Sequence, residues 1–255
     1  MAFDAALALR MITNARLRTA QGWGEYRDMR GALAITSDAP ISGLNCISDF
    51  TTDERSIDSM LDIGFALLRA FDREPAAELT PLDRPATIAD HLQRRGMTIE
   101  SRRSWMAFRG DADAIATNRD VEVRIAEPDD ARTFAAIHGG SEAWVKSLSL
   151  STTLTGMLEP GSTFYLGCID GQPVATLHLL RDGPTAGIYA VGTMKAHRRR
   201  GISTTLIARA IRDAGADRDV VCLRTDTGGY AETLYARLGF VRTFESQLWA
   251  AAERA

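Results

Sequence analysis

The chain has 255 residues, 45% of them hydrophobic and 25% charged, a make-up that excludes a disordered chain and leaves room for two domains of about 100 to 150 residues. With 30 basic against 33 acidic side chains the formal charge is -3, which excludes the global positive field of a nonspecific nucleic-acid binder. Cys46, Cys168 and Cys222 are odd in number and lack CxxC spacing, and the four histidines are scattered, so neither a disulfide scaffold nor a metal site is expected.

The opening stretch MAFDAALALRMITNARL sets apolar residues at near-helical spacing, interrupted by Asp4 and Arg10, with no long apolar run after it. It reads as an amphipathic domain helix rather than a signal peptide or membrane span, so a cytoplasmic chain without a membrane partner is expected. Residues 33–35 and 44–48 read as short strands. The Thr51/Glu54 spacing predicts a capping box ahead of a helix whose apolar stripe runs from Ile57 through Leu61, Phe65 and Leu68 to Phe71. Residues 75–79 supply a further strand, Pro85 starts a helix that Gly96 ends, and residues 97–108 return to extended structure.

Residues 110–119, polar and alanine-rich, mark the expected boundary between a domain at 1–115 and one at 120–255. A strand at 121–125 then leads through Glu127-Pro128-Asp129-Asp130 into a helix reaching Ile137, with a second helical region at 142–150. Residues 164–169 and 174–180 read as adjacent strands joined at Asp170-Gly171, a hairpin signal. A strand at 188–194, an amphipathic helix carrying Leu206, Ile207, Ala210 and Ile211, a strand at 220–223 and a helix carrying Ala231, Leu234, Tyr235 and Leu238 complete the pattern. Strands alternating with helices after a hairpin imply an α/β fold, a mixed sheet flanked by helices.

The two halves share punctuation. LQRRGMTIESRRSWMAF, from Leu92, and YARLGFVRTFESQLWAA, from Tyr235, each run from a helix tail through a glycine-hydrophobic pair into a strand that reaches a tryptophan, Trp105 or Trp249. A period of about 143 residues suggests two related domains rather than a short-repeat solenoid.

The chemistry concentrates at Arg198-Arg199-Arg200-Gly201-Ile202-Ser203, between a strand and an amphipathic helix. Gly201 permits close backbone approach, unpaired amides at the helix start can point at an anion, and Ser203 can cap the helix or add a hydroxyl contact. The backbone from Arg199 to Thr204 is the expected inner cradle and the three arginine side chains the outer contacts. A Rossmann turn would need its own glycine spacing and a P-loop a glycine-rich turn ending in Lys and Ser or Thr; neither is present.

On these residues the C-terminal half, from about Val121 onward, resembles the GCN5-related N-acetyltransferase (GNAT) superfamily. The family's arginine or glutamine, two residues, glycine, one residue, and glycine or alanine map onto Arg198 to Ser203, with Ser203 replacing the usual last residue. A second signature resembles Ala231-Glu232-Thr233-Leu234-Tyr235-Ala236-Arg237-Leu238-Gly239-Phe240, and Gly228 stands where the family often has an asparagine. The resemblance implies two tandem acyl-CoA N-acyltransferase-like domains, acetyl-CoA as co-substrate, pyrophosphate on the amides near Arg199 to Ser203, the thioester beside Thr193 and Met194, and Tyr235 as the acid that protonates the departing thiolate. A free amide near Met194 is the candidate for polarising the thioester carbonyl. The first copy is expected to have lost this chemistry, because Asp53 and Glu54 stand at its helix start and Leu92 at the place of Tyr235.

For the general base, His178, Glu142, Glu232 and Asp226 remain open, as does the absence of any dedicated base. Direct transfer to an amine is expected over an acetyl-cysteine intermediate, since no cysteine has a visible activating partner. The expected acceptor is an amine-bearing small molecule or peptide, and a homodimer is compatible with the reading. Asp49, Asp53, Glu54, Asp58 and Asp62 either attract a cationic amine or simply keep the surface soluble. The alternative to catalysis is a noncatalytic acyl-CoA sensor or interaction protein.

Overall fold

The computed structural model describes residues 3–139, 143–215 and 220–251, with no side-chain description for residues 143–148. Helix α1 (Ala5–Ala20) starts at Asp4, whose carboxylate accepts the Leu7 amide at 3.0 Å, as the opening amphipathic pattern predicts. There follow β1 (Glu25–Asp28), β2 (Leu33–Thr36), β3 (Cys46–Ser48), α2 (Ile57–Ala70), β4 (Ala76–Leu79), α3 (Ile88–Arg94) and the long β5 (Met97–Phe108). The second half holds β6 (Glu122–Ile125), α4 (Ala131–His138), α5 (Ala143–Leu158), β7 (Ser162–Ile169), β8 (Gln172–Asp182), β9 (Thr185–Thr193), α6 (Ile202–Ala214), β10 (Val220–Asp226), α7 (Tyr230–Arg237) and β11 (Phe240–Ala251).

The β7–β8 hairpin turns at Asp170 and Gly171, both at positive φ (49° and 74°), as the Asp-Gly pair predicts. The capping box expected at Thr51 does not form. Thr51 is drawn into a bridge with Arg84, and Asp53 instead takes the amides of Arg55 and Ser56 at 3.0 and 2.9 Å before α2 begins.

All eleven strands lie in one sheet, ordered β1-β2-β3-β4-β11-β5-β10-β9-β8-β7-β6. The sheet is mixed: β3 and β4 are parallel, as are β9 and β10, and the other neighbours are antiparallel. β11, from the end of the chain, lies between β4 and β5, while β5 lies between β11 and β10. β5 and β11 thus pair with each other, and each also pairs with a strand from the other half of the chain, β10 and β4 respectively.

Alternation along β10 shows how the two faces are filled. Val221 and Leu223 pack with Ile202, Leu206 and Ala210 of α6, whereas Val220 and Cys222 pack with Met11 and Ile12 of α1. In the first half, Leu61, Phe65 and Leu68 of α2 and Leu92 of α3 cover Ile47, Ala77 and Trp249. All three cysteines are buried within these layers, as their apolar surroundings predict. Among the described residues no helix is long and apolar enough to cross a membrane.

Candidate active site

The site begins where two parallel strands separate. β9 and β10 pair only from Thr185–Val220 to Gly187–Cys222, yet β9 continues to Thr193 and β10 to Asp226. On its other edge β9 stays paired to β8 through a bulge at which Ala190 adopts φ 50° and its carbonyl accepts the Thr176 hydroxyl at 2.9 Å. The edge of β9 facing β10 is therefore open from residue 188 onward.

Beyond β9 the chain makes a tight turn into α6. Arg199 and Gly201 both take positive φ (61° and 72°), which glycine adopts freely and arginine does not. The first helical bond runs from the Thr205 amide to the Gly201 carbonyl at 3.0 Å, and no side chain caps the helix. The amides of Ile202, Ser203 and Thr204 thus lack helical partners at the positive end of the helix dipole. The Ser203 hydroxyl lies 2.7 Å from that of Thr193, and Arg198 donates to the Thr193 carbonyl at 3.1 Å, so the turn is tied to the end of β9. From the other side Asn118 donates its side-chain amide to the Arg200 carbonyl at 2.9 Å and its backbone amide to the Thr205 hydroxyl at 2.9 Å.

A pocket of about 430 Å³ opens over this turn. Of the residues singled out in the sequence it gathers Thr193, Arg198, Arg199, Gly201, Ile202, Ser203, Thr204 and Tyr235. Arg200 does not line it; its side chain approaches His197 at 3.4 Å instead. Met194 does not line it either, and the amide expected to be free donates to the Val174 carbonyl at 2.9 Å, closing the β8–β9 ladder. The backbone edge left open lies earlier, at residues 188–193. Val191, Gly192, His197, Tyr230, Ala231 and Leu234 also line the pocket. Of these, His197 stood in the arginine run and could have been found there.

Tyr235 projects from α7 into the same space. Its ring is buried, with an edge contact to Phe240 at 5.9 Å, and its hydroxyl has no hydrogen bond among the described residues. Burial pushes its pKa up to about 12. Tyr235 and Val191 also line a second pocket, of about 410 Å³, formed by α1, Trp23, the turn at Gly43, β5, His138 and the open ends of β9 and β10.

The base candidates separate by position. His178 lines neither pocket. It is buried, stacked on Phe164 at 4.1 Å with Nε2 3.1 Å from the Ser162 hydroxyl, and burial holds its pKa well below the ordinary value. Glu232 accepts from the Ser104 hydroxyl at 2.6 Å and from the Gly228 amide at 2.5 Å, bonds that hold its carboxyl below the usual range and secure the turn before α7. Gly228, at φ 75°, thus serves the turn where the family pattern has a side chain. Asp226 lies exposed at the end of β10 and lines the second pocket. Glu142 lies outside the described residues.

The carboxylates read as either attracting a cationic amine or keeping the surface soluble have partners away from the second pocket, Asp53 taking the Arg55 and Ser56 amides. Asp49 pairs with Arg16, Glu54 with Thr87 and His91, and Asp58 and Asp62 with Arg95, and none of them lines the second pocket.

Residues 128–240 match the family model of the acetyltransferase (GNAT) family, a span that holds the turn and Tyr235. Among solved structures, a GCN5-related N-acetyltransferase from Kribbella flavida superposes with a TM-score of 0.69 at 21% identity, covering 94% of this chain and 96% of that one. A tandem GNAT protein from the clavulanic acid biosynthesis pathway gives 0.66 at 14% identity, covering 96% and 88%. A functionally unknown conserved protein from Staphylococcus epidermidis gives 0.69 at 13% identity, covering 89% and 94%. A search of curated proteins found no match. The chain therefore has the GNAT-superfamily acetyltransferase fold, an α/β architecture whose mixed sheet is flanked by helices.

Proposed function

We propose that this chain binds acetyl-CoA over the start of α6 and transfers the acetyl group directly to an amine held in the second pocket. The observation that carries this reading is the shared wall: Val191 and Tyr235 line both pockets, where β9 and β10 separate. The residues suit the co-substrate. Helix-start amides without partners, the positive-φ Gly201 and the cations Arg198 and Arg199 suit a pyrophosphate. The open edge of β9 suits an extended, amide-bearing arm that adds as a strand.

Acetyl-CoA supplies an activated thioester whose C–S bond breaks as the C–N bond to the amine forms. Tyr235 remains protonated at neutral pH and supplies the proton that the leaving sulfur takes up. Asp226, at the rim of the acceptor pocket, is the described carboxylate placed to receive the amine proton, directly or through water. A relay through cysteine is disfavoured, because burial pushes the Cys222 thiol up to about 12 and leaves little thiolate.

Tandem organisation belongs to the same reading, with copies at 1–115 and 120–255 that exchange their last strands. The order β3-α2-β4-α3-β5 recurs as β9-α6-β10-α7-β11, and the structurally similar clavulanic acid pathway protein is itself tandem. In the first copy the place equivalent to the cleft is stitched shut. The Arg84 amide donates to the Phe50 carbonyl at 2.9 Å, Asp83 accepts the Phe50 amide at 2.6 Å, and Thr51 bridges Arg84. Leu92, fully buried in α3, stands where Tyr235 stands in α7.

The test is calorimetric binding of acetyl-CoA together with CoA release over a panel of amines. Gly201→Val is expected to lose binding, and Tyr235→Phe to keep binding and slow transfer. Stoichiometric binding without CoA release from any amine would make the chain an acyl-CoA sensor, and full activity of both variants would refute the site.

A further inference from the structure

The second pocket holds more positive charge than its described surroundings neutralise. Arg18, from α1, lies 4.4 Å over the Trp23 ring, and its guanidinium makes no hydrogen bond or ion pair with a described side chain. Arg103, on β5, likewise has none. Its Nη2 lies against Gly43, 2.8 Å from where a Cβ would stand, so the absence of a side chain there makes room for it. Arg224, on the adjacent β10, lies 5.4 Å from the Trp105 ring centroid and has Glu78, at 3.7 Å, as its one ion-pair partner among the described residues, a carboxylate that also takes the Ser246 hydroxyl at 2.9 Å. Asp226 is the only carboxylate among the described lining residues. It stands directly across the β5–β10 ladder from Arg103 without an ion pair between them.

Cations held this way repel one another. The Arg224 charge, followed by burial, lowers the pKa of Arg103, and burial lowers that of Arg18 to about 9. Half-buried guanidiniums that face a cavity, with no ion pair to Arg18 or Arg103 among the described residues, are costly, and a carboxylate or phosphate would meet their planar donors with paired hydrogen bonds. A dication entering the same pocket would meet three arginines.

We propose that the acetyl acceptor is an amine that itself carries a carboxylate or phosphate, with the acidic group on Arg18 and Arg103 and the amine toward Asp226 and Tyr235. This deepens the acetyl-transfer reading and rests on it. The pocket's volume of about 410 Å³ suits a small molecule of this kind.

The test uses matched amines on the full chain loaded with CoA for calorimetric binding, and with acetyl-CoA for turnover. Free amino acids are compared with their amides and decarboxylated amines, and O-phosphoethanolamine with ethanolamine. At least one anionic member is expected to bind about tenfold to a hundredfold tighter than its neutral or cationic counterpart. The amino-acid and phosphate arms decide which anion the pocket takes. Arg103→Gln and, independently, Arg18→Gln are expected to erase that preference, with unchanged acetyl-CoA affinity as the sign that each variant is folded. Equal binding within the pairs, no binding by any anionic member, or a preference that survives both substitutions would overturn the inference. The two readings fail separately: acetylation of neutral amines without preference leaves acetyl transfer standing and removes the anion site. Anion-selective binding without any CoA release leaves the anion site standing and removes acetyl transfer.

Discussion

The Tyr235 ring is buried, but its hydroxyl is not among the buried unpaired polar atoms of the described residues, and the side chain stands where two pockets meet. Tyr235→Phe removes that hydroxyl without changing the ring that packs on Phe240, so the melting temperature and acetyl-CoA affinity should stay near wild type while kcat falls about a hundredfold. Because its pKa is raised, the stability that the neutral phenol contributes is present below pH 10 and is lost as the pH rises from 10 toward 12. An alkaline fall in kcat below pH 10 would therefore report another group. His138, which lines the second pocket, shows the opposite sign. Burial, followed by the Arg18 charge, lowers its pKa to about 4, so the unfolded chain binds its proton more readily and stability falls as the pH drops from 6.5 toward 4. His138→Phe removes that loss, and the variant should gain roughly 2 kcal/mol relative to wild type between pH 7 and pH 5 in denaturant titrations. A gap that does not change with pH would show that His138 titrates normally.

At the scale of elements, the cradle was legible because it is local. Gly201, the helix start and the apolar stripe of α6 lie within a few residues of one another, and a positive φ followed by uncapped amides is what that pattern encodes. The partners that hold it were not legible, since they come from distant positions. Asn118 reads as part of a linker, yet it fastens the Arg200 carbonyl and the Thr205 hydroxyl. The Met194 amide reads as free, yet the bulged β8–β9 register delivers it to Val174. The arginines of the second pocket were hidden for the same reason, because Arg18, Arg103 and Arg224 meet only when α1, β5 and β10 come together. Asn118→Ala tests the brace. Losing one hydrogen bond to the turn should weaken acetyl-CoA about twofold to tenfold and leave kcat at saturation nearly unchanged. A change in kcat alone would place Asn118 in a different role.

At the scale of the whole molecule, the interleaving of β11 between β4 and β5 makes each half of the chain depend on the other. β5 has β10 on one edge and β11 on the other, and β11 has β4 and β5, so a chain ending at residue 115 exposes both edges of its longest strand. A chain starting at residue 120 lacks both β4 and β5, leaving β10 with one unpaired edge and β11 with two. Bare edges with a buried, apolar face favour aggregation rather than a stable half. The covalent link beside Asp113 is replaceable: Asp111 and Asp113 are exposed, and the chain there contributes no sheet hydrogen bond. A protease site inserted between Asp113 and Ala114 should therefore be cut without separating the halves. The nicked protein should elute as one species, keep acetyl-CoA affinity and unfold in a single calorimetric transition, whereas residues 1–115 and 120–255 produced separately should be insoluble or unfolded. Two folded, soluble halves that bind independently would mean that β5 and β11 can each complete their own domain, and would remove the interleaving as the bond between them.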